Sequence, residues 1–375
     1  MLRPNPLLLA TEAGYEEWMK LRNRRWAFHN FHKVCRYGFS MRSPDILVLD
    51  TDLIPEIEHH EIVQDLTNHY GFSALVVVRN QSILYEAYSD DFSRNKLHTI
   101  MSISKTMMHL LIGKCIDQAL IDPAKIIQEY LPEIGSGYAD ATVQEVLDMD
   151  VINDYTEDYA DPSSTALLQN TSMGWRLPAA GEIEANTREF LVDIHSNNTS
   201  NTDKVVQYKS ANTDVLGWIV ERTTKKALRE HYLDIVEASG FEHLLYMSTD
   251  RLGVPNSSGG VCLTALDLAR YGLIFTKHMC GVHGERIGSS ALLEATRQCS
   301  GTHYPDPDSH IYYCNQLITN GRWVGHGGWG GQFFLVHPES KTVVVYFSVL
   351  ENDGASDDRH RRSVIEMADT ITTIS

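Results

Sequence analysis

A hydroxyl and an amine lie one helical turn apart in this sequence. Ser102-Ile103-Ser104-Lys105 forms a Ser-x-x-Lys motif directly before the largely apolar, proline-free segment 106–116. Such a segment predicts a buried helix, on which residues i and i+3 share a face and a Ser102 hydroxyl can reach the Lys105 amine. A serine alcohol becomes a nucleophile when a neighbour accepts its proton, and first-turn N–H groups can stabilise the resulting oxyanion. The motif therefore indicates covalent catalysis at Ser102.

Two further segments carry groups that suit the same chemistry. Tyr208 stands just before the apolar, helix-like stretch 211–218. Near the C-terminus, His326-Gly327-Gly328-Trp329 leads into the strand-like residues 333–336. A glycine-rich approach leaves a strand accessible to the backbone contacts of a ligand. A fold that brought the three segments together would join a nucleophile, an amine, a phenol and an open strand.

In order and spacing these segments resemble the Ser-x-x-Lys, Tyr-x-Asn and Lys-Thr-Gly motifs of the penicillin-recognising serine hydrolases. The chain is most similar to their class C β-lactamase-like branch, and within it to the 6-aminohexanoate-dimer hydrolases and related esterases and amidases. The similarity covers nearly the whole chain, because stretches 23–30, 208–217, 258–260 and 267–272 also resemble that branch.

The resemblance assigns roles position by position. It makes Ser102 the acylated nucleophile, Lys105 its partner and Tyr208 the general base that later protonates the leaving group. The backbone N–H groups of Ser102 and Trp329 would form the oxyanion hole. A cationic Lys105 is expected to lower the phenol pKa of Tyr208. Which of the two is the acylation base is left open by the sequence.

The second and third motifs depart from the pattern of the β-lactamases. Ser210 stands where many of them have Asn, and His326-Gly327 stands where they have Lys-Thr. A neutral His and a Gly offer less than Lys and Thr to a carboxylate beside the scissile bond, so efficient β-lactamase or D,D-peptidase activity is not expected. The resemblance places Ser210, His326 and Gly328 in substrate binding, and a structural role for His326 in its strand is an equal alternative.

These observations predict a serine amidase that cleaves a small linear substrate, similar to a 6-aminohexanoate oligomer, through an acyl-enzyme on Ser102. A carboxylesterase acting on short-chain esters with the same residues is the alternative, and a β-lactamase, a D,D-peptidase or a non-catalytic binding protein is less favoured. Trp175 and Trp218 are candidates for the walls of an acyl pocket. Trp218 lies in a helix-like run, where core packing is the alternative.

Three other features have simpler explanations. An acidic run is either a solvated loop or a cleft wall whose field favours a protonated amine; it comprises Asp148, Asp150, Asp154, Glu157, Asp158 and Asp161. Gly135-Ser136-Gly137 lacks the outer spacing of an α/β-hydrolase nucleophile elbow and predicts a surface loop. Glu58-His59-His60-Glu61 lacks an i, i+4 pair of histidines. We expect no metal and no cofactor.

The elements that must position these residues follow from the periodicity of apolar residues. Strand patterns lie at both ends of the chain, with a hairpin around 80–82; they cover 73–79, 83–88, 323–324, 332–336 and 342–349. From 102 to about 241 the pattern is mostly helical, for example across 141–147 and 221–235. A final helix is expected after Ser356, with Asp357 and Asp358 in its first turn.

Strands at both ends with helices between them predict an α/β (α+β) fold of the β-lactamase/transpeptidase-like type. An antiparallel sheet flanked by helices would form one lobe, and a second lobe would be all-helical. We expect 1–101 and 255–375 to form the discontinuous α/β lobe and 102–254 the helical lobe, with the three motifs in the cleft between them.

Composition narrows the range of partners and compartments. The 375 residues are 43% hydrophobic, enough for a substantial core, and the formal charge of −17 argues against nucleic acid or an anionic membrane as a partner. A small amide or ester substrate is expected, and the resemblance suggests a homodimer. The apolar N-terminal stretch is too short for a signal peptide, and the six cysteines lack paired spacing. Free thiols in a cytoplasmic protein are therefore expected.

Overall fold

The computed structural model describes residues 2–3, 5–8, 17–159, 161, 163–178, 180–181, 183–276 and 278–374. The strands are β1 (Gly38–Met41), β2 (Asp50–Thr51), β3 (Phe72–Arg79), β4 (Ser82–Tyr88), β5 (His98–Thr99), β6 (Leu245–Ser248), β7 (Val261–Leu263), β8 (Thr302–His303), β9 (Tyr312–Cys314), β10 (Leu317–Thr319), β11 (Val324–Gly328), β12 (Gln332–His337) and β13 (Thr342–Ser348). The α-helices are α1 (Leu21–Val34), α2 (Pro55–His59), α3 (Glu61–Thr67), α4 (Thr106–Asp117), α5 (Ile127–Tyr130), α6 (Ser136–Ala139), α7 (Val143–Leu147), α8 (Thr165–Ser172), α9 (Thr187–Val192), α10 (Ser210–Thr224), α11 (Leu228–Ser239), α12 (Ala265–Thr276), α13 (Ser290–Arg297) and α14 (Asp358–Thr373), and a 3₁₀ turn (Met101–Lys105) precedes α4.

The larger of the two sheets joins both ends of the chain. Within the described residues its strand order is β2-β4-β3-β13-β12-β11-β10-β9-β8, with every pair antiparallel except β2 and β4. The predicted hairpin is confirmed as β3 and β4, and its turn contains Asn80 with a φ of 59°, a left-handed conformation that Asn tolerates. The predicted C-terminal strands are confirmed as β11, β12 and β13.

The central strands are buried on both faces. Alternate residues point to opposite sides, so Val76 and Val345 lie in one core whereas Val77 and Val344 lie in another. Helix α12 packs on the first face, and α3 and α14 pack on the second. The helix predicted near the C-terminus is confirmed as α14, and Asp357 caps it by accepting a hydrogen bond from the N–H of His360.

The smaller sheet, β1-β6-β7-β5, was not expected from the sequence. Its strands contain only two to four residues, too few for an alternating pattern to be visible. It matters for the site because β5 leads straight into the 3₁₀ turn. The N–H of Ile100 donates to the carbonyl of Val261, which fixes the start of that turn to the residue that opens β7.

The described residues between the 3₁₀ turn and β6 contain helices and no strand of either sheet, as the sequence predicts. Thr142 caps the N-terminus of α7, and it exchanges hydrogen bonds with Glu145 in a capping box. The helical pattern across 221–235 is not one helix, however. Lys225 adopts a left-handed conformation with a φ of 56° and ends α10, and α11 begins at Leu228.

The predicted fold class is confirmed: helices flank a largely antiparallel sheet, and a helical segment is inserted between its N-terminal and C-terminal strands. The boundaries of the two lobes stay a prediction. No helix in the described part of the chain is both long and apolar enough to cross a membrane. All six cysteines are described residues, and none is in a disulfide.

Candidate active site

Ser102 lies in the 3₁₀ turn directly before α4, rather than in the α-helix itself. A 3₁₀ turn has three residues per turn, so Ser102 and Lys105 are stacked one above the other. The residue before the nucleophile, Met101, is buried and has a φ of 46°, a left-handed conformation that is unfavourable for a side chain of this size. The turn holds a strained backbone next to Ser102, which is common at functional sites.

The Lys105 amine is buried and surrounded by three oxygen atoms. Its Nζ lies 3.0 Å from the Oγ of Ser102, 3.0 Å from the Oγ of Ser210 and 2.7 Å from the carbonyl oxygen of Ser258. An ammonium has three donors and can satisfy all three contacts. The sequence prediction that Ser102 and Lys105 lie within hydrogen-bonding reach is confirmed.

Burial lowers the pKa of Lys105 to about 8, because a charged amine loses its hydration there. The negative charges of Glu157 and Asp214 act in the opposite direction and limit the decrease. A lysine with a pKa near 8 is partly unprotonated at neutral pH. The neutral fraction has a free lone pair within 3.0 Å of the Ser102 hydroxyl.

Tyr208 lies two residues before α10 and beside both members of the motif. The Ser102 side chain is close enough to act on the pKa of the Tyr208 hydroxyl, and the ring centre of Tyr208 is 5.0 Å from the Nζ of Lys105. Burial and the negative charge of Glu157 raise the pKa of Tyr208 well above its usual range. The pKa of Tyr208 is therefore raised and not lowered, contrary to what was expected from a cationic Lys105, because burial disfavours the phenolate. Tyr208 is held as a neutral phenol.

One member of the acidic run reaches the cleft. Glu157 accepts hydrogen bonds from the N–H of Ser210 at 2.6 Å and from its hydroxyl at 2.8 Å. The Ser210 hydroxyl thus donates to Glu157 and accepts from Lys105. Other members lie elsewhere: Asp150 pairs with Lys204, and the Asp148 carboxylate is buried. The run is neither a wholly solvated loop nor a continuous cleft wall.

A chain of polar contacts links Glu157 to a second buried carboxylate. The hydroxyl of Tyr155 lies 3.1 Å from Glu157 Oε2 and 2.5 Å from Gln169 Oε1. Gln169 Nε2 donates to Asp214 Oδ2 at 2.7 Å, and the Ser258 hydroxyl donates to the same oxygen at 3.3 Å. Burial raises the pKa of Asp214 to about 7. Because Ser258 also contacts Lys105, these residues form a closed ring behind the nucleophile, and the sequence analysis did not identify it.

His326 is buried in β11, and both of its ring nitrogens have protein partners. Nδ1 lies 2.5 Å from the carbonyl oxygen of Gly327, and Nε2 lies 3.1 Å from the Tyr313 hydroxyl. The carbonyl can only accept, so Nδ1 donates and Nε2 accepts from Tyr313. Burial and the positive charge of Lys105 lower the pKa of His326 to about 3. The ring is neutral and packs against Tyr208 with a 6.0 Å separation of ring centres.

The backbone from Gly328 to Trp329 passes close to the nucleophile. A Cβ atom at Gly328 would lie 2.5 Å from the carbonyl oxygen of Ile100, so only glycine allows this approach. Trp329 follows in the turn between β11 and β12 and lines both cavities that meet at Ser102. This placement is compatible with an oxyanion hole built from the N–H groups of Ser102 and Trp329, which stays a prediction.

Two cavities of different character meet at Ser102, Tyr159 and Trp329. The first encloses about 500 Å³ when the space open to solvent is included, and its other described lining residues are Trp18, Met19, Met101, Gln169, Asn170, Met173, Trp175, Ser210, Ser258 and Gly259. The second encloses about 870 Å³ on the same basis, and its other described lining residues are Glu157, Tyr208, Tyr304, Ile318, His326, Gly327, Gly328, Gly331, Phe333, Ala355, Ser356, Asp357, His360 and Arg361. Trp175 thus reaches the cleft as predicted, whereas Trp218 contributes to neither cavity and packs below Arg188 and Arg222.

Comparison with known proteins adds to this geometry. Residues 60–368 match the family model described as beta-lactamase. A 6-aminohexanoate-dimer hydrolase from Paenarthrobacter ureafaciens is 34% identical over 280 residues, which is 71% of this chain and 68% of that protein. A solved Bacillus anthracis structure, provisionally described as a 6-aminohexanoate-dimer hydrolase, has a TM-score of 0.83 at 20% identity and covers 99% of this chain and 98% of its own. EstCE1, a hydrolase with promiscuous acyltransferase activity, has a TM-score of 0.62 at 14% identity, covering 85% of this chain and 98% of its own.

Proposed function

The chain belongs to the beta-lactamase family of hydrolases, and on that premise we propose that it cleaves an amide bond in a small linear substrate through an acyl-enzyme on Ser102. The observation that carries the proposal is the 3.0 Å hydrogen bond between the Ser102 hydroxyl and the buried Lys105 amine, beside which Tyr208 lines the same cavity as Ser102. The similarity to a 6-aminohexanoate-dimer hydrolase supports a linear, non-peptide amide as the substrate.

In the proposed first step, Lys105 is the acylation base. Its lowered pKa makes the free amine available, whereas the raised pKa of Tyr208 disfavours a phenolate. The Ser102 oxygen bonds to the carbonyl carbon as its proton passes to Lys105. The N–H groups of Ser102 and Trp329 are proposed to stabilise the oxyanion.

In the proposed second step, the carbon–nitrogen bond breaks while the phenol of Tyr208 donates its proton to the leaving nitrogen. The Lys105 ammonium, which holds the proton taken from Ser102, then restores the phenol. Water then attacks the carbonyl carbon of the acyl-enzyme ester, and a proton of that water passes to the free amine of Lys105. The Ser102 oxygen leaves and regains its hydrogen, so the sum is one amide plus one water giving a carboxylic acid and an amine.

The three predicted substrate-binding residues are proposed to act differently from one another. Gly328 offers main-chain atoms at the cavity surface because it has no side chain. Ser210 and His326 act through their neighbours, since the Ser210 hydroxyl and both nitrogens of His326 already have protein partners. A neutral His326 also supports the prediction of little β-lactamase activity, because it supplies no cation for a carboxylate.

The test compares kcat/KM for a 6-aminohexanoate linear dimer and for a short p-nitrophenyl ester. We expect turnover of both by the wild-type protein, loss of both in Ser102→Ala, and no loss in the control Ser136→Ala, whose hydroxyl contacts His195 instead. A fluorophosphonate should add covalently to Ser102. Absence of both turnover and labelling would favour a non-catalytic binding protein.

Tyr208→Phe separates the amidase from the alternative carboxylesterase. An amine must be protonated to leave, whereas p-nitrophenolate leaves without help. The variant should therefore lose amide turnover by about 10² or more and lose much less turnover of the activated ester. Tyr304→Phe is a matched control, because Tyr304 lines the same cavity. Turnover of the ester alone by the wild-type protein would identify a carboxylesterase.

A further inference from the structure

The two cavities at Ser102 can be assigned to the two halves of the substrate. Tyr208 lines the second cavity and is not one of the described residues that line the first. A general acid must lie within hydrogen-bonding reach of the atom that it protonates. If Tyr208 protonates the leaving nitrogen, the amine half occupies the second cavity and the acyl half occupies the first.

The first cavity presents mainly carbon to a bound group. Its tryptophan and methionine side chains belong to one hydrophobic cluster with α1. The indole N–H of Trp175 donates to Ser248 Oγ at 3.0 Å, and that of Trp329 donates to the carbonyl of Gly354 at 2.9 Å. Both polar atoms are thus occupied by protein partners, and the rings are left as apolar walls.

The two cavities also differ in charge. Among the described residues that line the first cavity there is no Asp, Glu, Lys, Arg or His. The second cavity contains Glu157, Asp357 and Arg361 as well as two histidines. A charged group of the substrate therefore finds counter-charges in the second cavity, whereas no carboxylate among the described lining residues of the first cavity can pair with an ammonium.

Gly259 and Trp175 are in close contact in the lining of the first cavity. A Cβ atom at Gly259 would lie 3.2 Å from Cη2 of Trp175, which is itself buried and held by its hydrogen bond to Ser248. The backbone of Gly259 and the Trp175 ring therefore pack together and form one continuous wall of the cavity. An extended chain of methylene groups gains free energy from burial against such an apolar wall.

We propose that this cleft selects amides whose acyl half is an uncharged alkyl chain and whose amine half carries the charged group. The inference rests on the proposed function and adds the polarity of the substrate to it. It also predicts a substrate preference different from that of an enzyme specific for the 6-aminohexanoate dimer, because the acyl half of that dimer ends in an ammonium.

A pair of substrates that differ by one amino group tests the inference. N-hexanoyl-6-aminohexanoate has an uncharged acyl half, and the 6-aminohexanoate linear dimer has the same skeleton with a terminal ammonium. At pH 7.5 we expect kcat/KM for the hexanoyl compound to be higher than that for the linear dimer by a factor of about ten or more. An equal or reversed ratio, with both turnovers abolished in Ser102→Ala, would overturn the inference and leave the amidase standing. Turnover of neither amide would instead count against the amidase.

Two variants of the first cavity strengthen the test. Asn170→Asp is nearly isosteric and adds a carboxylate to the first cavity, so it should move the ratio toward the ammonium-bearing dimer. Gly259→Ala should reduce turnover of p-nitrophenyl hexanoate several-fold relative to p-nitrophenyl acetate, since the added methyl group meets Trp175. A general loss of folding would lower both members of each pair alike and leave the ratios unchanged. Unchanged ratios in two folded variants would contradict the assignment of the acyl half to this cavity.

Discussion

At the scale of single residues, the charge of Lys105 is the property that the surrounding side chains control most directly. Burial favours the neutral amine, and the carboxylates of Glu157 and Asp214 favour the ammonium. The other groups around its Nζ are uncharged: the hydroxyls of Ser102 and Ser210 and the carbonyl of Ser258. The two carboxylates therefore set the pH at which the base becomes available.

Asp214→Asn should shift the activity of the enzyme to lower pH. If the free amine of Lys105 is the base, kcat/KM rises with pH and levels off above the lysine pKa, which is about 8. Removing one negative charge lowers that pKa further, so the plateau should be reached at a lower pH by about half a unit or more. The measurement is a pH profile of kcat/KM for a neutral ester.

Asp148→Asn is the matched control for this experiment. Asp148 is equally buried and its pKa is also raised by burial to about 7, but its carboxylate contacts Asn315 and Gln144 rather than the ring behind Lys105. The control should keep the wild-type profile. A profile of Asp214→Asn that coincides with that of the wild type would refute the role of this carboxylate.

Site residues that lie close together in the sequence were predictable, whereas those brought to the site by tertiary packing were not. Ser102 and Lys105 are three positions apart, so helical geometry alone predicts their contact. Tyr208 was placed beside them by resemblance. Asp214 and Gln169 are separated from Lys105 by long stretches of sequence, and no local pattern marks a carboxylate that will be buried behind a lysine. Their position depends on how α8 and α10 pack.

At the scale of elements, long and regular segments were predictable. Strands β3 and β4 contain eight and seven residues, and their apolar residues are either consecutive or alternate with polar ones. Segments of this length are long enough to be identified as strands from the sequence. The small sheet was missed because its strands are too short for any period to appear. That sheet nevertheless determines where the nucleophile lies, since β5 runs directly into the 3₁₀ turn.

The packing of α12 on the large sheet depends on a glycine. A Cβ atom at Gly272 would lie 2.5 Å from Val343 Cγ1 and 2.9 Å from Phe334 Cε2, both in buried strands. Alanine normally stabilises a helix by about 1 kcal/mol relative to glycine. Here overpacking should reverse the sign, and we expect Gly272→Ala to destabilise the protein by about 1–3 kcal/mol.

Denaturant unfolding of Gly272→Ala beside Gly217→Ala measures this effect. Gly217 is also helical, but the nearest atoms to its added Cβ would be the flexible ends of Leu228 and Met108, at 3.1 and 3.3 Å. The control should therefore be close to neutral. If both variants were equally stable, the close approach of α12 to the sheet would not be a constraint on this fold.

At the scale of the whole molecule, the protein has a formal charge of −17. Its buried carboxyl groups include some whose pKa is raised and one whose pKa is lowered. Burial raises the pKa values of Asp148 and Asp214 to about 7. Burial also raises the pKa of Asp267, but its interactions with His243 and with the charge of Arg270 outweigh this effect, so the pKa is lowered overall. The stability of the fold should therefore depend on pH in two directions. The expected homodimer stays a prediction, which light scattering would test.

Asp148→Asn should stabilise the protein more at pH 7.5 than at pH 5. In the unfolded chain an aspartate loses its proton near pH 4, whereas folded Asp148 keeps it up to about pH 7. Between these values the folded state binds more protons, so its stability falls as the pH rises. An uncharged amide removes this dependence, which is on the order of a few kcal/mol at pH 7.5. Thermal unfolding midpoints of wild type and variant at the two pH values measure it.

Asp267→Asn provides the comparison of opposite sign. Its carboxylate accepts hydrogen bonds from the N–H groups of Glu242 and His243 and pairs with Arg270 at 2.8 Å, so its stabilisation is present above the unfolded pKa and is lost as the pH falls through the folded one. This variant should be less stable than the wild type at both pH 5 and pH 7.5. General charge repulsion changes with pH almost equally in all three proteins, so only the buried groups can separate them. A stability difference between Asp148→Asn and the wild type that did not change with pH would show that Asp148 is already ionised at pH 5.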